Sequence, residues 1–515
     1  MGAELLARAR TRAASLRTAH RADGHWSAEP LDLVADAAAV AGASVALITR
    51  DQRLTYDELD ARVDAAAAGL AEAGVDADAA VLIVAENSVA SVVACHAVLR
   101  LDAVLVLAAA NAGRAQVEQM LTECGAVVGI APAAWLADDA VAGTRWIAST
   151  DLSLASAGAR RAPARPADEP AIVLYTSGTT ARPKGVIHSM STLHKSAQNY
   201  IDAAFVAGDR TLMISPLASV TGVLQALFVG PMLRSSVTLE DRFDPARTFD
   251  LLHAEQCTWY GGPDLLLDRL LDAAAGRAIP LRAVILGGTM LDRNVVDRVE
   301  GDGIVVIRAY GSSEVPVSTS GLRTDPVAVR HNDDGAPLAD VELRIGSDLD
   351  PGECCIRGPH AFLGYTSPHD DAHAFEEGWF HTGDVAEPHG DGHIRITGRL
   401  RDVVIRNGLK IPITEVEEAT AKLPGVVRCS GFVVPDPATG EHLALAIRVS
   451  DGAVLELGAR AEQLLAVGLA KYKLPEELVR WDEDFPLNPT GKVDRKRLAV
   501  ESAHRSREQV ARLQS

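Results

Sequence analysis

The sequence predicts an α/β fold with more than one domain, and three observations support this prediction. The chain has 515 residues, of which 48% are hydrophobic, so it can build several cores. In its first half, short apolar segments typical of buried strands alternate with longer segments of helical periodicity. After residue 430, short strands and helices are mixed. The alternation favours helices layered on a sheet, whereas the mixed region predicts a small α+β domain.

The predicted elements can be followed along the chain. Residues 54–75 are predicted to form an amphipathic helix, because Thr55 can cap it and Glu58 lies at capping-box spacing. The next predicted elements are a strand at Val81–Ala85, a turn at Glu86–Ser88, a helix at Ser91–Leu99 and a strand at Val104–Ala108. Later strands are predicted at 171–174, 186–187, 212–216, 284–286 and 304–307, with a helix at 191–204. The C-terminal part is predicted to contain strands at 430–434 and 443–449 and a helix at 459–469.

Charge and composition argue against several classes of protein. With 50 basic and 69 acidic residues the net charge is −19, so a nucleic acid is not an expected partner. No run of 18 apolar residues occurs, and no membrane span is therefore expected. The six scattered cysteines match neither a disulfide framework nor a zinc pattern, which favours a reducing, cytoplasmic location. The N-terminal 20 residues could pass for a transit peptide, but an ordinary surface helix is favoured.

A hydroxyl-rich loop lies between two apolar segments in the middle of the chain. It runs from Tyr175 to Gly185 and reads YTSGTTARPKG. Its hydroxyl and backbone N–H groups can donate hydrogen bonds to phosphate oxygens, while Lys184 supplies a mobile positive charge. It is not the P-loop of NTPases, because Pro183 precedes the lysine and Gly185 follows it. The alternative interpretation is a surface turn rich in Thr, Ser and Gly.

This loop resembles the phosphate-binding loop of the adenylate-forming superfamily of acyl-CoA synthetases, carrier-loading adenylation domains and luciferases. The family pattern is Ser-Gly-Thr-Thr-Gly-x-Pro-Lys-Gly, and the chain departs from it at Ala181, where the family normally has glycine. Four further segments match family motifs in the same order, namely AYGSSE at 309–314, WFHTGD at 379–384, IRITGRLRD at 394–402 and NPTGKVDR at 488–495. The resemblance covers roughly residues 50–500.

The resemblance implies a domain organisation. Residues 1–399 would form a large N-terminal domain of layered α/β subdomains with a small β-barrel-like part, which binds AMP and the acyl substrate. Residues 400–515 would form a small, mobile α+β lid that rotates about a hinge near Arg401. ATP or AMP, CoA and Mg²⁺ are the cofactors that this resemblance implies.

The resemblance also assigns catalytic roles. Lys184 and Lys492 would bring positive charge to the reacting carboxylate and phosphates, and Arg401 would be the hinge. Glu314 would help to hold Mg²⁺, since a carboxylate oxygen suits that hard cation. Asp384 would accept hydrogen bonds from both ribose hydroxyls.

Further residues are expected to contact the nucleotide or CoA. Tyr310 would pack on adenine, Ser313 would bond the α-phosphate and Gly408 would let the pantetheine thiol pass close to the backbone. The complete expected set is Thr176, Ser177, Gly178, Thr179, Thr180, Ala181, Gly287, Gly288, Ala309, Tyr310, Gly311, Ser312, Ser313, Asp384, Ile396, Arg399 and Gly408.

The segment after Pro216 differs from its counterpart in acyl-CoA synthetases. There it commonly continues with Leu, an aromatic residue and His, whereas here small residues replace both bulky groups. A wider pocket for a bulky or polycyclic acid is one interpretation, and drift in a packed turn is another with equal weight. The expected pocket residues are Ala218, Ser219, Val220, Thr221, Gly222 and Thr289.

The function that this pattern implies is an acyl-CoA ligase for a bulky hydrophobic carboxylic acid, acting through an acyl-adenylate. Ala181 places a methyl group where phosphates are expected, so the enzyme could be weak in adenylation and convert a supplied acyl-adenylate instead. Its partner would then be a separate adenylating ligase. A carrier-protein-loading adenylation enzyme and a degenerate nucleotide-binding protein remain open. The composition and the small pocket residues also resemble actinobacterial natural-product ligases, such as those of platensimycin and platencin biosynthesis.

Overall fold

In the computed structural model, contacts divide the chain into two compact units. Unit one comprises Met1–Gly287, Val299–Leu343 and Ile356–His381, and unit two comprises Gly288–Arg298, Arg344–Cys355 and Thr382–Ser515. The structure describes residues 2–152, 161–176, 183–287, 293–400, 402–406, 409–436, 439–450, 456–488 and 493–509. Arg401 lies outside these residues, so the hinge and the predicted boundary at residues 399 and 400 stay predictions.

The secondary structure is numbered in chain order. The helices are α1 (Ala3–Ala22), α2 (Leu33–Ala41), α3 (Tyr56–Glu72), α4 (Val89–Arg100), α5 (Arg114–Cys124), α6 (Ala133–Asp139), α7 (Ser149–Leu152), α8 (Met190–Ala204), α9 (Val220–Val223), α10 (Gly230–Leu233), α11 (Pro245–Ala254), α12 (Asp264–Asp272), α13 (Arg293–Gly301), α14 (Val327–Arg330), α15 (Pro368–Asp371), α16 (Ile413–Ala421), α17 (Leu457–Ala466) and α18 (Arg495–Ser502). A π-helical segment, Leu224–Val229, joins α9 to α10, and Lys471–Lys473 forms a 3-10 turn.

The strands of the first sheets are β1 (Val45–Ile48), β2 (Arg53–Thr55), β3 (Ala80–Ala85), β4 (Val104–Ala109), β5 (Val128–Ala131), β6 (Arg145–Ala148), β7 (Pro170–Tyr175), β8 (Gly185–Ser189), β9 (Thr211–Met213), β10 (Val237–Leu239), β11 (Trp259–Gly262), β12 (Ala283–Gly287), β13 (Val305–Tyr310), β14 (Thr319–Ser320) and β15 (Ala336–Pro337). The later strands are β16 (Glu342–Ile345), β17 (Glu353–Arg357), β18 (Phe375–Glu376), β19 (Trp379–His389), β20 (His393–Arg399), β21 (Val403–Arg406), β22 (Leu409–Pro412), β23 (Val426–Asp436), β24 (Gly440–Val449), β25 (Glu477–Arg480) and β26 (Arg507–Gln509).

Unit one contains two largely parallel sheets. One has the order β6-β5-β3-β4-β7-β8, with β8 antiparallel to β7 at its edge. The other has the order β15-β14-β13-β12-β11-β9-β10-β1-β2 and is parallel from β13 to β1. Every residue of β3 is buried, which explains its unbroken apolar sequence, since strands covered on both faces need no polar side. The α/β prediction is confirmed.

The first predicted helix is confirmed together with its cap. The Glu58 N–H donates to the Thr55 hydroxyl at 3.3 Å, and the Thr55 N–H donates to the Glu58 carboxylate at 2.8 Å. These two bonds satisfy donors that the first turn of a helix leaves without a backbone partner. The resulting α3 begins at Tyr56, directly after the cap.

Several predicted strand limits are wrong. β23 begins at Val426 and β24 at Gly440, four and three residues before their predicted starts. β9 ends at Met213, because the Asn87 side chain donates to the backbone carbonyls of Ile214 and Ser215 in place of a neighbouring strand. β13 continues to Tyr310, three residues beyond its predicted end, because Ala309 and Tyr310 pair with β14.

The N-terminal helix α1 is more firmly anchored than an ordinary surface helix. Leu5, Ala9 and Ala13 are buried along one of its faces. On another face Arg21 donates to the fully buried carboxylate of Asp168 at 2.6 Å. None of the helices in the described residues combines the length and the apolar character that a membrane crossing requires.

Unit two contains a sheet in the order β22-β21-β24-β25-β26, with β23 paired to β24. Aliphatic residues from β21, β22, β24, α16 and α17 fill its core. The mixture of strands and helices predicted after residue 430 is therefore found. After Arg495 the chain forms α18 and then β26, which pairs antiparallel with β25.

Candidate nucleotide-binding site

The hydroxyl-rich loop emerges from the edge of the first sheet. β7 and β8 pair antiparallel up to Tyr175 and Gly185, and the Thr176 N–H donates to the Lys184 carbonyl at 2.9 Å. These contacts hold the two ends of the loop together. Glycine is required at 185, since a Cβ there would lie 2.5 Å from the Thr366 side chain. Five predicted loop residues lie outside the described residues, namely Ser177, Gly178, Thr179, Thr180 and Ala181.

A segment from distant sequence runs beside β8. The Ile187 N–H donates to the Gly364 carbonyl at 2.9 Å, and the Thr366 N–H donates to the Gly185 carbonyl at 2.8 Å. This pairing places Tyr365 next to Lys184, whose Nζ lies 4.7 Å from the centroid of the tyrosine ring. Nζ also lies 3.5 Å from the Asp370 carboxylate.

The turn that follows β13 carries Glu314. Its N–H and that of Val315 donate to the Ser312 hydroxyl, and the Tyr365 hydroxyl donates to Oε1 of Glu314 at 2.7 Å. Val317 has φ +50°, a left-handed conformation that a β-branched residue rarely adopts. A Cβ on Gly311 would lie 2.5 Å from the Val317 nitrogen, so the tight turn also requires that glycine. Backbone strain of this kind is common at functional sites.

His188 joins β8 to the same turn. Its Nε2 lies 2.7 Å from the Ser313 carbonyl oxygen, and its Nδ1 lies 3.0 Å from the Thr192 hydroxyl. Since a carbonyl oxygen can only accept, Nε2 carries the proton. Burial lowers the pKa of His188 to about 4, although the hydrogen bond to Ser313 acts in the opposite direction. The imidazole is therefore neutral at physiological pH and fixed in one tautomer.

The residues predicted to lie beside adenine meet at the carboxyl ends of neighbouring parallel strands. Gly287, the last residue of β12, is the register partner of Ala309 in β13, and Tyr310 is the next residue. Among the described residues, the atom nearest to a Cβ placed on Gly287 is the Ala309 carbonyl oxygen, at 3.6 Å, an ordinary contact distance. Gly288 and Thr289 lie outside the described residues.

In unit two, the Thr-Gly-Asp motif lies in β19. Asp384 is the register partner of Arg399 in β20, and Arg399 Nε lies 2.7 Å from Oδ1 of Asp384. Gly383 has φ +71°, and the Asp384 N–H donates to the Thr382 hydroxyl at 3.0 Å. The Asp384 side chain is 3% exposed, and Ile396 is also buried. This motif therefore presents a rigid carboxylate.

Arg495, for which the sequence predicted no role, anchors the residue that follows the predicted hinge. Arg495 donates to Asp402 at 2.7 Å and to Glu417 at 2.8 Å. It thereby ties the start of α18 to the residue after the predicted hinge. Arg401 itself lies outside the described residues, as do Gly408 and Lys492.

The predicted acyl-pocket segment has local structural roles. Ser219 donates to the Pro216 carbonyl at 2.7 Å and accepts from the Gly222 N–H at 3.1 Å, so it caps α9. A Cβ on Gly222 would lie 2.1 Å from the Pro216 carbonyl oxygen, which makes glycine obligatory. Ala218 is buried, while Val220 and Thr221 are partly exposed. Local contacts therefore account for Ser219 and Gly222, and the wider pocket stays a prediction.

Sequence reasoning missed three residues that organise the site in unit one: His188, Tyr365 and Asp370. None belongs to a motif recognised in the sequence, and each acts on a residue from another part of the chain. The contact of Tyr365 with Lys184 requires the pairing of β8 with the segment that contains Tyr365, and the contact of His188 requires β8 to lie beside the turn after β13. No local pattern indicates either arrangement.

Residues 34–366 match the family model described as AMP-binding enzyme. The chain belongs to this family. The AMP-binding match covers more than half of the chain and confirms the predicted membership of the adenylate-forming superfamily and the predicted enzyme class.

Curated relatives of this AMP-binding enzyme align along most of their length. It is 30% identical to the salicylyl-CoA synthase / salicylate adenylyltransferase of a Streptomyces species, over 93% of this chain and 95% of the relative. It is 31% identical to 3-[(3aS,4S,7aS)-7a-methyl-1,5-dioxo-octahydro-1H-inden-4-yl]propanoyl:CoA ligase of Mycobacterium tuberculosis, over 88% of this chain and 95% of the relative.

Solved structures agree with the fold. ATP-bound MatB from Rhodopseudomonas palustris has a TM-score of 0.81 and 25% identity, over 92% of this chain and 98% of MatB. The o-succinylbenzoate CoA synthetase of Bacillus subtilis, in complex with its acyl-adenylate intermediate, has a TM-score of 0.80 and 23% identity, over 91% and 98% of the two chains.

Proposed function

We propose that this AMP-binding enzyme is an acyl-CoA ligase that activates a carboxylic acid with ATP and transfers the acyl group to CoA. The observation that carries the proposal is the convergence of Lys184 and Glu314 on Tyr365. A cation and an anion more than a hundred residues apart in sequence are thereby brought to one side chain. Attack by a carboxylate on a phosphate needs positive charge nearby, because negative charge builds up on the phosphate oxygens. Lys184 would supply one such charge, and Glu314 would hold a cation that supplies another.

The Glu314 carboxylate in unit one offers an oxygen ligand that suits Mg²⁺. One oxygen of Glu314 accepts from Tyr365, and among the described residues no group hydrogen-bonds its other oxygen. A single carboxylate oxygen of this kind suits a cation whose remaining ligands are waters and phosphates. When bound, Mg²⁺ would offset negative charge on the phosphates of ATP.

The chain's own residues then divide the work between two half-reactions. In adenylation, Lys184 and Lys492 would stabilise charge as the carboxylate displaces pyrophosphate, and Asp384 would orient the ribose. In thioester formation, rotation at Arg401 would withdraw Lys492 and bring Gly408 beside the pantetheine thiol, which displaces AMP. No covalent bond to the protein is needed in either step.

The proposed substrate is a bulky hydrophobic carboxylic acid. Support comes from relatives whose names specify aromatic or bicyclic acyl groups, among them salicylyl, feruloyl and a methyl-dioxo-octahydroindenyl propanoyl group. Several of these relatives are from actinobacteria, which fits a role in secondary metabolism. A diterpenoid acid belongs to this class, and its use as the substrate stays a prediction.

Ala181 is expected to lower the rate of the adenylation half-reaction. A methyl group at this position adds bulk where the β- and γ-phosphates are expected and resists left-handed backbone conformations by about 1–2 kcal/mol. A loop displaced by about 1 Å can lower a rate on the order of a hundredfold. Thioester formation involves only AMP, so it would suffer less. The enzyme would then depend on a separate adenylating ligase for acyl-adenylate.

Two assays with the same preparation test this proposal. One is ATP–pyrophosphate exchange with a panel of aromatic and polycyclic acids, and the other is thioester formation from synthetic acyl-adenylates and CoA. We expect weak exchange that rises in Ala181→Gly, with the thioester step unchanged. Robust exchange by the unaltered protein would refute the adenylation defect, and failure of both assays across the panel would contradict the ligase function.

A carrier-loading adenylation enzyme is the second candidate. The relative triostin synthetase I of Streptomyces triostinicus, 30% identical over 94% of this chain, favours it because its name does not specify a CoA ligase. Replacing CoA by a phosphopantetheinylated carrier protein in the thioester assay distinguishes the two. A degenerate nucleotide-binding protein would bind AMP and form neither thioester.

A further inference from the structure

The side chain of Tyr365 contacts both Lys184 and Glu314. Its hydroxyl donates to Glu314 at 2.7 Å, and Lys184 Nζ lies over its ring, 4.7 Å from the centroid. The residue is 5% exposed. Tyr365 therefore contacts both the Lys184 ammonium group and the Glu314 carboxylate, and its side chain is shielded from solvent.

The backbone around Tyr365 is held from three sides. Its N–H donates to Asp371 at 3.1 Å, its carbonyl accepts from Arg8 in α1 at 3.0 Å, and it forms an antiparallel bridge with Val186 in β8. A ring on so constrained a backbone has little freedom to move. The N-terminal helix thus helps to fix a residue of the candidate site.

We propose that Tyr365 is a positioning residue for MgATP: its hydroxyl orients Glu314 toward the cation, and its ring supports Lys184 on the side of the phosphates. The inference rests on the proposed function and deepens it. A hydrogen bond to one carboxylate oxygen restricts rotation of Glu314 and leaves the other oxygen for the cation. The ring attracts the ammonium group without consuming its N–H donors, which stay available to phosphate.

Substitutions at 365 separate the two roles. Tyr365→Phe keeps the ring and removes the hydroxyl, Tyr365→Leu removes both, and Tyr365→Gln keeps a donor without a ring. Tyr56→Phe is the matched control, because Tyr56 is also buried and its hydroxyl donates at 2.7 Å, to the Gly230 carbonyl, in a part of unit one with no proposed role in binding.

The measurement is calorimetric affinity for ATP over a Mg²⁺ titration, with AMP affinity without Mg²⁺ as reference. For Tyr365→Phe we expect the Mg²⁺ concentration that gives half-maximal ATP affinity to rise about ten- to a hundredfold, the effect of losing one hydrogen bond to a charged group. AMP affinity should stay the same. Tyr365→Leu should in addition weaken ATP binding without Mg²⁺ by about two- to tenfold, because Lys184 loses the ring.

The outcomes distinguish this inference from the proposed function. An unaltered protein that fails to bind ATP with Mg²⁺ overturns the ATP-dependent half of the proposed function and this inference with it. An unaltered protein that binds, together with a folded Tyr365→Phe whose Mg²⁺ dependence is unchanged, overturns only the positioning role. If Tyr365→Phe does not fold, Tyr365→Gln is the deciding variant. The inference is supported if its Mg²⁺ dependence is unchanged and its ATP affinity without Mg²⁺ is weaker. The inference is refuted if neither quantity changes. Tyr56→Phe should change neither.

Discussion

Asp384→Ala tests the proposed role of Asp384 in ribose binding, and the structure defines the environment of this carboxylate in unit two. Oδ1 of Asp384 lies 2.7 Å from Arg399 Nε, and the aspartate side chain is 3% exposed while the arginine is 41% exposed. The motif backbone is fixed by the bond from the Asp384 N–H to Thr382. The carboxylate is thus presented in one orientation before a nucleotide arrives.

The expected loss of binding follows from the two bonds that the carboxylate would make to ribose. Each hydrogen bond to a charged group contributes roughly 1.5–3 kcal/mol. We therefore expect AMP and acyl-adenylate affinity to fall by at least about 2 kcal/mol, or about 30-fold in Kd. The cost to folding should be smaller, because the partly exposed Arg399 can regain water, and pairs near the surface contribute roughly 0–1 kcal/mol.

Calorimetry of AMP and acyl-adenylate binding measures this effect, and urea unfolding measures stability in the same preparations. Asp484→Ala is the control in unit two, since Asp484 also pairs with an arginine, Arg448, at 2.9 Å but has no proposed role in binding. Unchanged affinity in a folded Asp384→Ala protein would remove Asp384 from the ribose site. An equal loss in Asp484→Ala would show that the effect is not specific.

Two further predictions concern the hinge and the buried histidine. Arg401→Pro fixes φ at the proposed hinge, so one half-reaction should collapse while the other survives; equal loss of both with the fold intact would contradict a hinge at this position. His188 has its pKa lowered to about 4 by burial, so the folded state stays neutral while the unfolded state gains a proton as pH falls. The contribution of His188 to the free energy of unfolding is therefore complete above about pH 6.5. Below that pH it declines by about 1.4 kcal/mol per pH unit toward pH 4. Urea unfolding between pH 7 and 4.5 should show a shallower decline for His188→Gln, and parallel curves would be inconsistent with a buried neutral imidazole.

The sequence determined those features that neighbouring residues control. Thr55 and Glu58 cap a helix within one turn, so their spacing was sufficient to predict both the helix and its start. The strands on either side of the hydroxyl-rich loop were likewise predictable, because both are buried and contain short apolar runs in the sequence. Glu314 and Asp384 were singled out because they stand in short motifs whose order along the chain matches a known family.

Only the tertiary structure decided how these local features are supported. The end of β9 depends on the Asn87 side chain, which comes from a turn more than a hundred residues earlier. Tyr365 lies next to Lys184 because a distant segment pairs beside β8, and its hydroxyl reaches Glu314. His188 of β8 reaches Ser313 in the turn after β13. Such contacts depend on which segments the sheets bring together, and nothing in the sequence near either partner specifies that choice. The sequence therefore identified the charged groups of the candidate site, while the residues that hold Lys184 and Glu314 in place emerged from long-range packing.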